Sequence, residues 1–287
     1  MATLGPIEAL GTKWFFEFFE DVDLASVETV VRQELLAFET AYSRFLPNSL
    51  VGQLNRDRVV ENPPAEFREL LQLAKGFYKE TDGVFDILVG ERMEAAGYDS
   101  NYSFTATLPE AQLDAKILQL TGVLEVAEGD KVVRLKEGKI DLGGFGKGYL
   151  IDKLVGIFKQ RGHQYFLVNG GGDLFVTSEK GKSVEIKLAH PTETGQVIGS
   201  VVLLNQGFAA SSPYLRTWID STVNQQFNHL LTDNQVSTYV VADKAVTADM
   251  WATTLAVAPE LSIVSDIEAL LLQENKVIQT TPIFNIF

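Results

Sequence analysis

Two stretches of the chain carry side chains whose types and spacing could do chemistry. In T-A-D-M-W-A-T (Thr247 to Thr253), Asp249 and Thr253 stand four residues apart, so on a helix they share one face. A carboxylate and a hydroxyl so placed suit a hard cation such as magnesium, which takes oxygen ligands and keeps water or phosphate oxygens in its shell. The same pair has a structural reading: an aspartate in a first helical turn complements the dipole, and the threonine hydroxyl bonds back to a carbonyl. The second stretch is K-I-D-L-G-G-F-G-K-G-Y-L-I-D, Lys139 to Asp152, with glycines at 143, 144, 146 and 148. A strand, a glycine turn and a helix start bring backbone N–H groups close to an anion. Lys147 adds a mobile positive charge, and Asp141 an acceptor for a hydroxyl, an amide or a metal-bound water. A glycine turn that lets two elements pack closely explains the glycines equally well. The stretch is no P-loop, because Gly148 follows Lys147 where Ser or Thr is required, and G-x-G-x-x-G does not occur in it.

The elements that must position these groups follow from periodicity. K-W-F-F-E-F-F-E (Lys13 to Glu20) reads as a short aromatic core strand, and Leu24 to Phe45 as an amphipathic helix ending before Pro47. Ser43 to Asn55 reads as a polar capped turn. Pro63-Pro64 opens a helix over Ala65 to Thr81, closed by Asp82-Gly83. Val84 to Gly90 is an expected apolar strand interrupted by Asp86, whose carboxylate either caps a turn or faces a ligand. A loop over Asp99 to Thr107, a helix over Pro109 to Leu120 and a hairpin over Val123 to Leu135, turning at Glu128 to Asp130, come next. Helix Tyr149 to Phe158 leaves the glycine turn.

Tyr165 to Val176 reads as strand, triple glycine, strand, with the glycines implying close approach of another backbone or a ligand. Ser183 to Ala189 and Gln196 to Leu204 are alternating strands, Gly207 to Trp218 a small-residue turn, and Ser237 to Ala242 a strand. Thr247 is expected to cap a helix to Ala258, Ile263 to Leu272 to form a last helix, and Lys276 to Ile278 a last strand. No repeat, low-complexity tract or linker divides the 287 residues, so one domain over 1–287 is expected.

The net charge of −14 argues against nucleic acid or anionic lipid as partner. A nucleotide still binds such a protein where a metal ion and backbone N–H groups carry its phosphates. With no cysteine there is no disulfide, thiolate metal site or cysteine nucleophile. The N-terminus has no basic and apolar leader, and no run approaches a membrane span. A cytoplasmic protein, or an exported mature form, is expected.

Taken in order, the motifs are G-T-x-W (Gly11, Thr12, Trp14), S-R-F-x-x-x-S-x-x-x-x-L-N (Ser43 to Asn55), T-D-G-V-F-D (Thr81 to Asp86) and D-L-G-G-F-G-K-G-Y-x-x-D (Asp141 to Asp152). L-V-N-G-G-G-D (Leu167 to Asp173), a serine turn near Ser211, N-H-L-L (Asn228 to Leu231) and A-D-M-W-A-T (Ala248 to Thr253) complete the set. In this order they closely resemble the ApbE family, the FAD:protein FMN transferases, over nearly the whole chain.

The resemblance implies an α+β fold: mixed sheets with covering helices, T-fold-related, a two-lobed single unit with an FAD cleft. It implies a magnesium-dependent enzyme that splits FAD, joins FMN to a Thr or Ser hydroxyl of an acceptor flavoprotein and releases AMP. By the same likeness the metal ligands are Asp249, Thr253 and the carbonyl of Gly144. The FAD contacts are Leu10, Phe45, Val84, Phe85, Asp86, Asp141, Lys147 and Leu231, and His229 is the base for the acceptor hydroxyl. The chain departs from the family where I-I-D-P-x-T-G usually follows the histidine; here L-L-T-D-N-Q-V follows His229. Hydrolysis of FAD to FMN and AMP, or flavin binding without catalysis, are the alternatives. Many members are exported lipoproteins with a leader and a lipid-bearing cysteine, which this sequence lacks.

Overall fold

Alternation along the aromatic strand decides where the first core lies. Trp14, Phe16 and Phe18 are fully buried on one face, with Phe15 and Glu17 between them on the other. The computed structural model describes residues 1–99, 103–107, 118–126, 131–220, 225–274 and 276–287. Its contacts resolve two units, each built from separate segments: Met1–Ala37, Gly143–Leu215 and Asp233–Phe287 form the first, Phe38–Leu142 and Arg216–Thr232 the second. No helix among the described residues is long and apolar enough to cross a membrane.

The first unit is organised on one sheet of eight strands, all paired antiparallel. In spatial order they are β1 (Ala2–Ala9), β2 (Thr12–Phe18), β6 (Tyr165–Gly170), β7 (Asp173–Ser178), β10 (Gln206–Ser211), β13 (Val236–Ala242), β14 (Ile267–Gln273) and β15 (Lys276–Thr280). Helices α6 (Gly146–Gln160) and α7 (Ala245–Val257) pack on one face. There Phe158 of α6 meets Phe16, Phe18 and Phe166 edge-on, with centroids 5.4 to 6.1 Å apart. On the other face lies a three-stranded sheet, β8 (Val184–Ala189), β9 (Val197–Leu203) and β16 (Phe284–Ile286), sharing a core that includes Leu174, Val176, Leu203, Tyr239 and Leu270. Strand β13 is therefore buried at every residue, as expected of an apolar run covered on both sides. The Tyr239 hydroxyl crosses to donate to the Ala189 carbonyl at 2.6 Å.

The second unit is smaller and more helical. Most of helix α1 (Leu24–Tyr42) belongs to the first unit; its last turn opens the second. Then come α2 (Leu50–Asp57), α3 (Ala65–Glu80), α4 (Gly90–Ala95) and the single turn α5 (Leu120–Val123). A small sheet runs β3 (Val59–Glu61), β5 (Val132–Leu135), β4 (Leu124–Glu125). The buried face of α3 is the one its spacing foretold: Phe67, Leu70, Leu71, Ala74 and Phe77. A separate hairpin, β11 (Thr217–Asp220) with β12 (Gln225–Asn228), is anchored by Trp218 and Phe227 on Ala96 and Ala106. The helices and antiparallel sheets make the α+β fold that was expected.

Several local expectations are corrected. The strand expected over Val84 to Gly90 is a series of turns, because Thr81 and Asp86 turn the chain instead: the Thr81 hydroxyl accepts from the Phe85 N–H and the Asp86 carboxylate from the Leu88 N–H. Ile263 to Leu272 is not a helix; Ile267 onwards is β14, paired along its length with β13. Ser43 to Asn55 contains α2, capped by the Ser49 hydroxyl accepting from the Gly52 N–H at 2.9 Å. Gly207 to Ser211 is strand rather than turn. The helix expected from Pro109 and the hairpin tip at Glu128 to Asp130 lie outside the described residues.

Candidate functional site

The start of α6 is where the glycine stretch becomes helix, and α7 is packed against it. Gly148 makes this possible: a β-carbon there would stand 2.5 Å from the Ala245 carbonyl oxygen. Gly207 on β10 admits the same turn of α7 from the other side. The helix is not capped by Thr247. It begins at Ala245, and Asp152 of α6 accepts from the Ala245 and Val246 N–H groups at 2.9 and 3.0 Å. Burial raises the Asp152 pKa, while those two N–H groups hold it down.

This packing brings the first unit's three predicted metal ligands to one corner. The Thr253 hydroxyl stands 3.5 Å from the Gly144 carbonyl oxygen. One turn earlier on α7, the buried Asp249 carboxylate accepts from the Gly148 N–H at 2.9 Å. Its oxygens lie 3.3 and 3.4 Å from the Lys147 ammonium. A carbonyl, a hydroxyl and a carboxylate form an all-oxygen donor set, which fits a hard divalent cation such as magnesium. Among the described residues no cluster of three His, Cys, Asp or Glu side chains competes with it.

Sequence reading missed Asp173. This buried carboxylate at the start of β7 pairs with Lys147 and accepts from the Ala210 N–H at 3.2 Å. Its place in L-V-N-G-G-G-D was visible, but its partner was not. Burial opposes charge on Lys147, yet Asp173 and Asp249 together outweigh it and the ammonium is held more firmly charged than usual. Burial drives the Asp249 carboxyl up; the Lys147 charge opposes that rise and Asp173 adds to it. Two of the three glycines beside Asp173 are explained by close approach of side chains, and Gly172, with open space at its β-carbon, by its φ of 105°. A β-carbon on Gly170 would meet the Trp14 ring at 2.7 Å, and one on Gly171 would overlap Thr12.

In the second unit, Asp141 is held by a chain of backbone and side-chain bonds. The Asn55 side chain donates to the Ile140 carbonyl and accepts from its N–H, at 2.9 and 2.8 Å. The Asp141 N–H donates to the Ile87 carbonyl at 2.8 Å. The carboxylate of Asp141 pairs with Arg44, which also donates to the Tyr98 carbonyl at 2.6 Å. Arg44 lies over the Phe45 ring, 4.1 Å from its centroid. Two of the predicted flavin contacts, Phe45 and Asp141, thus meet through an arginine that the sequence reading passed over.

The remaining predicted contacts are placed as follows. Leu10 occupies the two-residue turn between β1 and β2, and Leu231 follows the turn after β12. Their φ angles are 52° and 49°, a left-handed conformation that costs a side-chain-bearing residue about 1–2 kcal/mol. Such strain in a leucine asks for a reason. Val84 is exposed, while the Phe85 ring is buried edge-on to Phe77. Asp86 is half-buried, and its carboxyl is raised to about 6, chiefly by burial, with the Leu88 N–H and the Arg92 charge opposing. His229 sits directly after β12, its N–H donating to the Arg216 carbonyl at 3.1 Å.

Against known proteins, the model of the ApbE family matches residues 10–272. A FAD:protein FMN transferase of Salmonella typhimurium is 24% identical over 250 residues, covering 81% of this chain and 71% of its own. One from Klebsiella pneumoniae is 25% identical, covering 89% and 78%. An ApbE protein of Thermotoga maritima superposes with a TM-score of 0.83 at 22% identity, covering 96% of each chain. The Vibrio cholerae flavin transferase ApbE gives 0.72 at 18%, covering 100% of this chain and 96% of its own. These structural likenesses speak for the fold.

Proposed function

Because the chain belongs to the ApbE family, we propose that it is an FAD:protein FMN transferase that moves FMN from FAD to a Thr or Ser hydroxyl of an acceptor flavoprotein. The observation that carries this reading is the corner formed by Gly144, Asp249 and Thr253, three oxygen donors from the turn before α6 and from α7, which the sequence separates by about a hundred residues. In the proposal these three hold magnesium. Bound there, the ion supplies Lewis-acid stabilisation of charge on the diphosphate.

The chain's own groups do the rest. Lys147, whose charge is reinforced by its two carboxylates, offers a cation to a diphosphate oxygen. Asp141 and Phe45, fixed by Arg44, are assigned to the flavin nucleotide, together with Leu10, Leu231 and the segment Val84 to Asp86. The acceptor oxygen bonds to the FMN phosphorus as the bond from that phosphorus to the bridging oxygen breaks. AMP leaves with the electron pair, and His229 takes the hydroxyl proton. A second reading, hydrolysis of FAD, is favoured by the compact connection after His229. There the Asn228 side chain accepts from the Leu230 N–H at 3.0 Å and donates to the Thr232 carbonyl at 2.7 Å, closing the loop on itself.

Incubation with FAD, magnesium and an acceptor domain tests both readings by mass spectrometry. FMN added to the acceptor is the expected result. Free FMN and AMP without an adduct would replace transfer by hydrolysis, and bound FAD without turnover would refute both. Asp249→Ala is expected to abolish the magnesium-dependent reaction while the melting transition persists.

A further inference from the structure

Lys147 has one more carboxylate than an ion pair needs. Its ammonium contacts Asp173 directly and lies 3.3 Å from Asp249, so two buried acids share one base. The two acids are not equivalent. Asp173 is fixed through its second oxygen by the Ala210 N–H of β10, at 3.2 Å. Asp249 is fixed by the Gly148 N–H and stands one helical turn before Thr253, whose hydroxyl lies 3.5 Å from the Gly144 carbonyl. A buried cluster with a surplus negative charge is costly unless a further cation neutralises it. Of the two acids, Asp249 is the one on the helix that also carries Thr253.

We infer that Asp173 is a positioning residue: it holds the Lys147 ammonium so that the ammonium does not take over the Asp249 carboxylate, leaving that carboxylate to a divalent cation. The inference rests on the metal reading of Asp249, Thr253 and Gly144. A lysine beside a divalent cation is repelled by it and needs a counter-charge of its own. Asp173 is that counter-charge, and it lies on β7, a different element from the metal ligands. Without the Asp173 charge, the ammonium has only Asp249 left, and competes with the cation for it.

The test uses Mn2+ as the hard-cation probe, titrated into the flavin-free protein and followed by electron paramagnetic resonance. Asp173→Asn keeps an oxygen for the Ala210 N–H and removes the charge; it is expected to weaken Mn2+ binding at least about tenfold. Lys147→Met alone is expected to bind Mn2+ as tightly as the wild type or more tightly. The double variant is expected to recover to within about threefold of Lys147→Met, which a merely structural role for Asp173 would not produce. Unchanged binding in Asp173→Asn, weaker binding in Lys147→Met, or a double variant no better than Asp173→Asn would each overturn the inference. Should wild type and Asp249→Asn take up Mn2+ equally weakly, the metal reading itself falls.

Discussion

Asp152 accepts the Ala245 N–H at 2.9 Å, so the last aspartate of the glycine motif is the cap of a helix 93 residues further on. A second bond, from the Val246 N–H at 3.0 Å, satisfies the next amide of the same turn. The motif's final position is thereby explained without a ligand: it fixes the start of α7 against α6, and with it the direction in which Asp249 and Thr253 point. Asp152→Ala is expected to lower stability by about 1–2 kcal/mol, the usual cost of a lost cap. Denaturant unfolding of the flavin-free protein measures it, and Asp152→Asn should recover part of the loss.

Two glycines on α6 should respond in opposite ways. A methyl at Gly148 would press on the Ala245 carbonyl and the Val246 backbone, which cannot move aside. Gly148→Ala should therefore cost about 1–3 kcal/mol by overpacking. Gly156, on the same helix, has open space where its β-carbon would go. Gly156→Ala should add about 0.5–1 kcal/mol through the unfolded state and helix propensity. Equal effects in thermal unfolding would contradict the packing described.

Asp86 gives a pH dependence with a definite sign. Its carboxyl is raised to about 6 in the fold, against an ordinary value of 3.8. The folded state therefore holds the proton more tightly than the unfolded chain. Its contribution is fully present below pH 4 or so and is lost as pH rises through about 6. Two pKa units correspond to about 3 kcal/mol at most, reduced by the water that reaches a half-buried group. Asp86→Asn keeps an acceptor for the Leu88 N–H, bonded at 2.9 Å in the wild type. The difference in stability between variant and wild type should grow in the variant's favour from pH 4 to pH 6 and then level off.

His229→Ala separates proton transfer from binding. If the imidazole takes the acceptor proton, kcat for FMN transfer should fall about 10²-fold or more, in the range of general-base effects, while the Kd for FAD changes little. A large rise in Kd with unchanged kcat would reassign the residue to binding.

Periodicity alone located the parts whose burial pattern depends on near neighbours in sequence. The aromatic strand at Trp14, Phe16 and Phe18, the apolar face of α3 and the shared face of Asp249 and Thr253 are all set within a few residues. Ile267 to Gln273 was misread because E-A-L-L-L-Q has the composition of a helix. Only its pairing with β13 and β15, and its burial, made it a strand. The site divides in the same way. Residue types identified Asp249, Thr253 and Lys147 as groups able to bind a cation or an anion, and the ordered motifs identified the family. Asp173 against Lys147, Asn55 against Ile140 and Arg44 against Asp141 lie 26, 85 and 97 residues apart. No spacing rule spans such intervals, because what brings these groups together is not a helical or strand period. It is the packing of α6 and α7 together on one face of the sheet in one unit, and the tying of the Ile140 to Asp141 segment by two side chains in the other.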